Sequence, residues 1–580
     1  MYPNEEKIVR FRNLLLGLVC TSGIFHMRPA ATAQTLPPDA QPTAAVPPEN
    51  FASWFASGKP TLNGLVKPAN SVTLAHSSNI DFYHWSEQMF LWVTSPTGEG
   101  HTARVMSSPT FFLVMEADST DAGKRKLKRQ NIGEVQRFAT RTAQAGPHGF
   151  PVIFNKAGKM FEILPQTKEE IEKKLVLNAE GKSVSFEKLV LNDQRKAIFL
   201  DAGGKEIVKA RPSFPDKLKG GRFVKLHKTN TDSLFIDDSG EVLDVGVGQA
   251  GGGGVLLAQN GSVVYYNTLF NDVMAYFRTL NSNTTSPASQ FPTTQAELDQ
   301  IVAFAKTQDA VLPDANALTV EVKASWVEAA SLKNIEEYIT IDAFVPTFNK
   351  SNPKNWVEIP NGEKKTKLAM VGLHFVGSTN GHPEMVWSTF EHIGNTPVGT
   401  YQYNAITGAN PKTVSQNTQG NWLFCKSNAQ GSFNTLLQNV SNTNPLTITA
   451  VTGQTAIAPN DASLVNAFGA AFGVNPNADA TYAESNTQMI SLNNSVRSQL
   501  VKGDVRANYF FVGSTWTEGG QAPTGAYPQG NVIGTSQLAN STMETFQQQT
   551  GNNCFSCHRT NTTNVSHVYP IVLPLPLKKH

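Results

Sequence analysis

A run of five residues near the C-terminus, Cys554-Phe555-Ser556-Cys557-His558, constrains this chain more than any other stretch. Its two cysteines and its histidine have the C-x-x-C-H spacing used to attach a c-type haem. Two intervening residues let both sulfurs form thioethers at one edge of the macrocycle, and the next histidine then lies under the iron as its proximal ligand. The spacing therefore predicts one covalently bound haem c, held by Cys554, Cys557 and His558.

Two other uses of a C-x-x-C pair fit this sequence less well. A structural zinc site needs two further ligands, usually a second cysteine pair, and the other two cysteines, Cys20 and Cys425, do not form one. A thioredoxin-like redox site needs a βαβ setting, which the flanking sequence does not supply. Haem attachment is therefore the preferred interpretation.

The first 33 residues have the organisation of a signal peptide. A basic start is followed by an apolar stretch from Leu14 to Phe25 and by an A-x-A cleavage site at Ala31-Thr32-Ala33, so the mature chain is expected to begin at Gln34. No later apolar run reaches about 18 residues, and we expect no transmembrane span in the mature chain. Because haem c is attached outside the cytoplasm, we predict a periplasmic protein.

Cys425 has no expected disulfide partner. Cys20 lies in the segment expected to be removed, and the haem would take Cys554 and Cys557. We therefore expect Cys425 to be a buried, unpaired thiol rather than a haem or metal ligand.

The composition favours a β-rich exported protein. Only 16% of residues are charged, and a net charge of +2 gives no argument for nucleic-acid binding. Short apolar runs separated by Asn/Asp/Gly turns at 178–181, 201–204 and 237–240 predict antiparallel hairpins. We therefore predict an α+β fold with β-rich N-terminal and central regions and a short, helix-led haem segment at the C-terminus. The expected divisions are a signal peptide (1–33), a flexible Pro/Ala-rich leader (34–50), a β-rich domain (51–280), a mixed α/β domain with Asn/Thr-rich loops (281–530) and a haem attachment segment (531–580).

Three helices are predicted from local patterns. Apolar spacing indicates a helix over 81–93. Two capping boxes, Thr294-Gln295-Ala296-Glu297 and Ser541-Thr542-Met543-Glu544, predict helices that run to about residue 306 and over about 541–550. The last helix would deliver the chain to the haem motif.

A second dense stretch runs from Leu368 to His392. It indicates a buried strand, a loop and another apolar run. It also contains three histidines and two carboxylates: His374, His382, Glu384, Glu391 and His392. A histidine on a strand is often a hydrogen-bonded core residue, so a structural role and a role at the haem or at a second metal both stay open.

These motifs resemble those of known haem proteins. The C-x-x-C-H run is similar to the attachment motif of c-type cytochromes, which implies covalent haem and iron redox chemistry. The chain also resembles a family of large exported bacterial c-type cytochrome proteins, through Gly372-Leu373-His374, Trp387-Ser388-Thr389-Phe390-Glu391 and the late C-x-x-C-H. This resemblance covers residues 320–580 and implies a haem protein, but it supplies no substrate.

The sequence leaves the sixth ligand of the iron open. No methionine follows His558, so the distal ligand comes from upstream, comes from the short tail, or is absent. His567 is the first candidate, because a loop of nine residues from His558 can reach over the iron. The remaining alternatives are an open or water-bound iron and four upstream side chains: His374, His382, His392 and Met543.

Two functional classes follow from the ligands of the iron. Two histidine ligands give a closed, low-spin iron suited to electron transfer, whereas an open sixth position lets peroxide, oxygen or another small ligand bind. In the second case a base such as Glu384 or His382 would serve a peroxidase-like enzyme.

The expected function is therefore that of a mono-haem cytochrome acting in electron transfer or as a haem-dependent oxidoreductase. The size of the chain favours an oxidoreductase, and the absence of a flavin, quinone-cofactor or copper motif favours a carrier. A haem-based sensor or small-ligand binding protein is the further alternative. The expected partners are a periplasmic redox protein or a small-molecule substrate, and the haem-attachment machinery during maturation.

Overall fold

A computed structural model describes residues 34–578 apart from several gaps. The gaps are 99–100, 102, 116–123, 140–151, 155–159, 165, 168, 171–172, 193–195, 216–222, 229–232, 244–253, 431–432, 435–437, 442–444, 452, 466, 469–479, 525–529, 536, 546–547, 549–552 and 559–561. The predicted signal peptide, 1–33, lies outside the described residues. Within the described part of the chain, no helix is long and apolar enough to cross a membrane.

The structure is a β-rich α+β fold, as predicted. The α-helices are α1 Pro48–Trp54, α2 Asn79–Val93, α3 Asp272–Ser282, α4 Gln295–Thr307, α5 Ala480–Gln499 and α6 Cys554–His558. The strands are β1 Phe111–Val114, β2 Leu127–Arg129, β3 Gln136–Arg137, β4 Val152–Phe154, β5 Met160–Leu164, β6 Leu175–Leu177, β7 Ser183–Ser185, β8 Lys188–Leu191, β9 Ala197–Leu200, β10 Phe223–Lys228, β11 Ser233–Asp237, β12 Gly254–Val255, β13 Tyr265–Asn271, β14 Val320–Glu328, β15 Thr340–Asn352, β16 Asn355–Thr379, β17 His382–His392, β18 Tyr401–Tyr403, β19 Lys412–Val414, β20 Gln438–Ser441, β21 Thr447–Thr449, β22 Tyr509–Thr517 and β23 Val532–Gly534.

One large sheet of 13 strands organises the molecule. Its main path is β12-β20-β21-β16-β14-β13-β1-β2, and β15, β17, β22, β23 and β3 join it as branches. The pairs are antiparallel except for the short parallel pair of β3 with β15. The 25-residue strand β16 pairs with β14, β15, β17 and β21, so it is the centre of the sheet.

The region between β3 and β12 forms smaller sheets and hairpins, as the turn pattern predicts. Four strands pair in the order β11-β10-β5-β4, and β6 with β7 and β8 with β9 form two separate hairpins. In the turns, the Oδ1 atoms of Asn178, Asp201 and Asp237 each accept two backbone N–H groups, from two and four residues further on. These Asx turns close the chain reversals locally, which is why sequence predicts them well.

Alternation along β14 gives the large sheet two different faces. Val322 and Ala324 belong to the core cluster that includes α2 and α5. Glu321 and Lys323 point to the opposite face, because successive side chains of a strand alternate. The second face is covered by α3, α4 and the C-terminal segment, which share another core cluster.

Residues 34–47, which we name the N-terminal strap, differ from the predicted flexible leader. Leu36 and Val46 are buried in the main core. The backbone N–H of Val46 donates to Ser495 Oγ of α5 at 2.9 Å. Small side chains let this Pro/Ala-rich backbone lie against a helix whose polar groups satisfy it.

The predicted domain boundary at 280–281 lies in the connection between two strands that pair with each other in the large sheet. β13 and β14 are neighbouring antiparallel strands, with Tyr265 opposite Trp326. The chain between them forms α3 and α4, which pack on the same face of the sheet. The Ser/Asn/Pro-rich loop therefore connects two helices that pack on the same face of this sheet.

Two predicted helices are confirmed and one is wrong. The helices over 81–93 and after Thr294 are α2 and α4. Residues 541–545 form turns instead of a helix. A capping box requires Glu544 to accept the backbone N–H of Ser541. That N–H instead donates to Glu391 at 2.6 Å, so a tertiary contact overrides the local signal.

Candidate functional site

The short helix α6 carries the C-x-x-C-H run. Positions 554, 557 and 558 lie on one side of it, because residues three and four apart share a helix face. Cys554 is half-buried and packs against both large core clusters. Phe555 is buried against Trp387 of β17, with ring centroids 5.8 Å apart. The motif is therefore anchored to the sheet by its own second residue.

A backbone carbonyl and an aromatic ring hold the side chain of His558 in place. Its Nδ1 lies 3.0 Å from the carbonyl oxygen of Val565, so Nδ1–H donates and Nε2 is the nitrogen left for a metal. Its ring packs on Trp387 at a centroid distance of 4.3 Å. Burial, together with His567 and Lys323, holds the pKa of His558 well below its usual value, against the effect of the Val565 carbonyl. The ring is therefore neutral at neutral pH, which is the form that binds metal.

His567 lies directly beside His558. The two rings are stacked, with centroids 4.0 Å apart and planes 16° apart. The structure thus brings the two predicted ligands together. His567 would help His558 to hold a haem iron only after its ring turns away from that of His558.

A polar group on the second face of the sheet lies next to His558. Lys323 of β14 is paired with His374 of β16. His374 Nε2 hydrogen-bonds both carboxylate oxygens of Glu544, at 2.9 and 3.1 Å. Burial raises the pKa of Glu544, but the charge and hydrogen bond of His374 and the charge of Lys323 outweigh it, and the pKa lies below its usual value. Glu544 is therefore an anion beside the haem motif.

Glu321 ties the C-terminal tail to the same face. Ser566 Oγ donates a hydrogen bond to Glu321 Oε2 at 2.6 Å. Burial raises the pKa of Glu321 to about 7, against the effects of Ser566 and Lys323. Because Ser566 immediately precedes His567, this bond fixes the tail where the two histidine rings meet.

The ring of His392 is held by contacts with the backbone and with one aromatic side chain. Its Nε2 lies 3.3 Å from the carbonyl oxygen of Glu337, and its Nδ1 accepts the backbone N–H of Gly394 at 3.1 Å. The ring stacks on Tyr338 with centroids 3.7 Å apart. Burial lowers the pKa of His392 to about 3. Both nitrogens are engaged by the backbone, which leaves neither for a metal in this arrangement.

The other sequence candidates lie elsewhere. His382 hydrogen-bonds Glu384 and contacts Phe82, on the face covered by α2. Met543 is buried in a third core cluster, separate from the one that contains Phe555. The structure therefore divides the histidines of the 368–392 stretch among three environments and brings only His374 to the haem motif.

Cys425 is a buried thiol that forms no disulfide, as predicted. It packs with Trp422 and Ala429. Burial raises its pKa to about 12, against a smaller effect of Lys426. A thiol with such a pKa stays protonated and is a poor metal ligand.

Several residues of the site were not identified from the sequence. Glu321 and Lys323 alternate with apolar residues in a buried strand, and that pattern indicates a polar face inside the protein. Glu544 was assigned only to a helix cap. The Val565 carbonyl has no sequence signal, because any residue supplies the same backbone group.

The described residues fit a covalently held haem in their donor chemistry. The motif lies on one helix, and its histidine is neutral with Nδ1 already bonded to a carbonyl. Among the described residues, no group of three or more His, Cys, Asp or Glu side chains is arranged to hold a metal ion. A haem iron does not need such a group, since the macrocycle supplies four of its ligands.

No family model, curated protein or solved structure matches this chain. Its function is therefore inferred from its own residues.

Proposed function

We propose that this chain is an exported, periplasmic mono-haem c-type cytochrome that acts in electron transfer or as a haem-dependent oxidoreductase. The observation that carries the proposal is a C-x-x-C-H helix whose histidine donates Nδ1–H to the Val565 carbonyl. Cys554 and Cys557 would hold the haem through thioethers, and His558 would bind its iron. When bound, the haem supplies a one-electron iron couple.

The residues around His558 would set the properties of this site. The hydrogen bond to Val565 keeps the ring in one tautomer and makes Nε2 a stronger donor. Trp387 packs on Phe555 of α6 and on the ring of His558 itself. Both effects favour a rigid ligand, and a rigid ligand reduces the rearrangement that accompanies electron transfer.

His567 remains the candidate sixth ligand because the tail holds it beside His558, but its ring, stacked on that of His558, would first have to turn away. We expect protein matured with the haem-attachment machinery to be low-spin and, after reduction, indifferent to carbon monoxide. His567→Ala should then bind carbon monoxide, while the exposed-histidine control His101→Ala should not. The absorption spectrum of each reduced protein with and without carbon monoxide gives the answer. A wild-type protein that binds carbon monoxide would reject His567 as ligand.

The alternative is an enzyme with an open iron site. The feature that favours it is the His374–Glu544 pair, which places an imidazole and a carboxylate joined by hydrogen bonds near His558. Such a pair can move protons to or from a small ligand. Peroxide turnover that falls in His374→Gln while the haem spectrum stays unchanged would support the enzyme. Its periplasmic partner would then be a small-molecule substrate rather than a redox protein.

A further inference from the structure

A second histidine pair lies on the opposite side of the large sheet from α6. His382 begins β17, and His76 belongs to the segment that leads into α2. Their ring centroids are 5.5 Å apart and their planes are nearly perpendicular, at 81°. Two imidazoles that share one metal ion at about 2.0–2.1 Å have ring centroids about 5 Å apart. The observed separation is thus close to that of two ligands of one ion.

A buried carboxylate stands behind His382. Glu384 Oε1 accepts a hydrogen bond from His382 Nδ1 at 2.9 Å and another from the backbone N–H of Thr517 at 3.0 Å. Glu384 is fully buried, and its Oε2 has no hydrogen-bond partner among the described residues. Burying a carboxylate with one oxygen unpaired is costly, which points to a role for Glu384 beyond packing.

That role follows from the direction of the hydrogen bond. Metal-binding histidines almost always donate their other ring N–H to a carboxylate or a carbonyl, which fixes the tautomer and orients the ring. Glu384 takes the Nδ1 hydrogen of His382 and so leaves Nε2 for a ligand. The edge-on contact with Phe82, at a centroid distance of 4.9 Å, further fixes the ring of His382.

The segment that carries His76 is fastened to the same hairpin. The backbone N–H of Asn380 donates to the Ser71 carbonyl at 2.7 Å, and its side chain donates to the Leu74 carbonyl at 3.4 Å. His76 Nε2 would lie 3.7 Å from a Cβ at Gly381, the residue just before His382. His76 is exposed, so the pair opens to solvent on that side.

We propose that His76 and His382 bind one divalent first-row transition-metal ion, with Glu384 as the positioning carboxylate behind His382. Imidazole nitrogens suit Zn²⁺, Ni²⁺ and Cu²⁺, with Cu²⁺ bound most tightly. Among the described residues no third protein ligand joins the two histidines, so water completes the coordination. This site does not depend on the haem, and its failure would leave the proposed haem function untouched.

The test is metal titration of the full mature chain with Zn²⁺ by calorimetry and with Cu²⁺ by electron paramagnetic resonance. The wild-type protein should bind one equivalent, and one equivalent of Cu²⁺ should show coupling to two nitrogens. His76→Gln should lose this equivalent, and because His76 is exposed the variant should fold normally. Glu384→Gln should weaken binding about 10–100-fold.

The matched control is His101→Gln, since His101 is also exposed but pairs with Thr97. It should bind like the wild type. Equal Zn²⁺ affinity and stoichiometry in the wild type and His76→Gln, or no binding by the wild type, would overturn the site. Unchanged affinity in Glu384→Gln would overturn the positioning role of the carboxylate.

Discussion

The contact between His374 and Glu544 links the centre of the sheet to the segment that precedes α6. Glu544 is largely buried and lies on a turn, and His374 is its nearest cationic or hydrogen-bonding side-chain partner, with contacts at 2.9 and 3.1 Å. Removing one member leaves the other buried and poorly paired. The pair should therefore help to hold the segment that leads into α6 against the sheet.

A double-mutant cycle tests this pair. We expect His374→Gln and Glu544→Gln each to lower the free energy of unfolding by about 1–3 kcal/mol, and the double variant to cost little more than the worse single one. Urea denaturation gives the coupling energy. The exposed Lys173–Glu169 pair is the control and should couple by only about 0.3–0.5 kcal/mol. Additive effects at His374 and Glu544 would show that their contact carries no energy.

At the residue scale, the sequence predicts which chemical groups a motif contains better than it predicts which side chains meet in the folded protein. The spacing of Cys554, Cys557 and His558 predicts haem attachment without any tertiary information, and it stays a prediction. His374, His382 and His392 lie in different environments because of how their strands pair and which face of the sheet each side chain is on. Nothing in the local sequence of a strand histidine distinguishes a backbone-bonded core ring from a ring that faces a haem segment.

The N-terminal strap is the element that most changes the expected organisation. It runs along α5, where Ala44 N–H donates to Ser491 Oγ at 3.1 Å and Gln499 Nε2 donates to the Val46 carbonyl at 2.9 Å. Its apolar side chains enter the same core as the large sheet. The strap is therefore part of the fold.

Leu36→Ala measures the contribution of the strap. Leu36 is 6% exposed, and truncating such a side chain should lower the free energy of unfolding by about 2–5 kcal/mol. Leu62 is 56% exposed, so Leu62→Ala should change it by less than about 0.5 kcal/mol. Thermal or urea unfolding compares the two. Equal stability of both variants would mean that the strap is not packed as described.

At the element scale, the correct predictions are those that depend on contacts between residues close together in the chain. The capping box of α4 forms as predicted, with Thr294 and Glu297 bonding each other's backbone. The same signal at Ser541 fails because Glu391, 150 residues away, takes the backbone N–H. The burial of the strap has no local signal either, because its partners on α5 are distant in the chain.

At the scale of the whole molecule, one sheet separates two candidate sites. The helix α6 and the C-terminal tail cover one face, and the His76–His382 pair lies with α2 at the other. Buried carboxylates in these layers also give the stability of the whole protein a pH dependence. Glu87 of α2 is the clearest case, because burial raises its pKa from 4.5 to about 8 despite the charge of Arg497.

The raised pKa of Glu87 fixes the sign of its effect. The folded protein holds the Glu87 proton more tightly than the unfolded chain does, so the contribution is fully present below pH 4.5 and is lost as the pH rises through about 8. Glu87→Gln, which stays neutral, should lack this loss. Urea midpoints measured from pH 4.5 to 8.5 should show that the stability of the variant increases relative to that of the wild type as the pH rises. A constant difference would contradict the raised pKa.

Covalent attachment of haem at α6 is the claim on which the proposed function depends, and it has a direct measurement. The full chain would be expressed with haem-attachment machinery, denatured, and assayed for haem that stays with the polypeptide. We expect one haem per chain in the wild type and in the control Cys425→Ala, and none in Cys554→Ala/Cys557→Ala. No retained haem in the wild type, or equal retention in the double variant, would contradict the account.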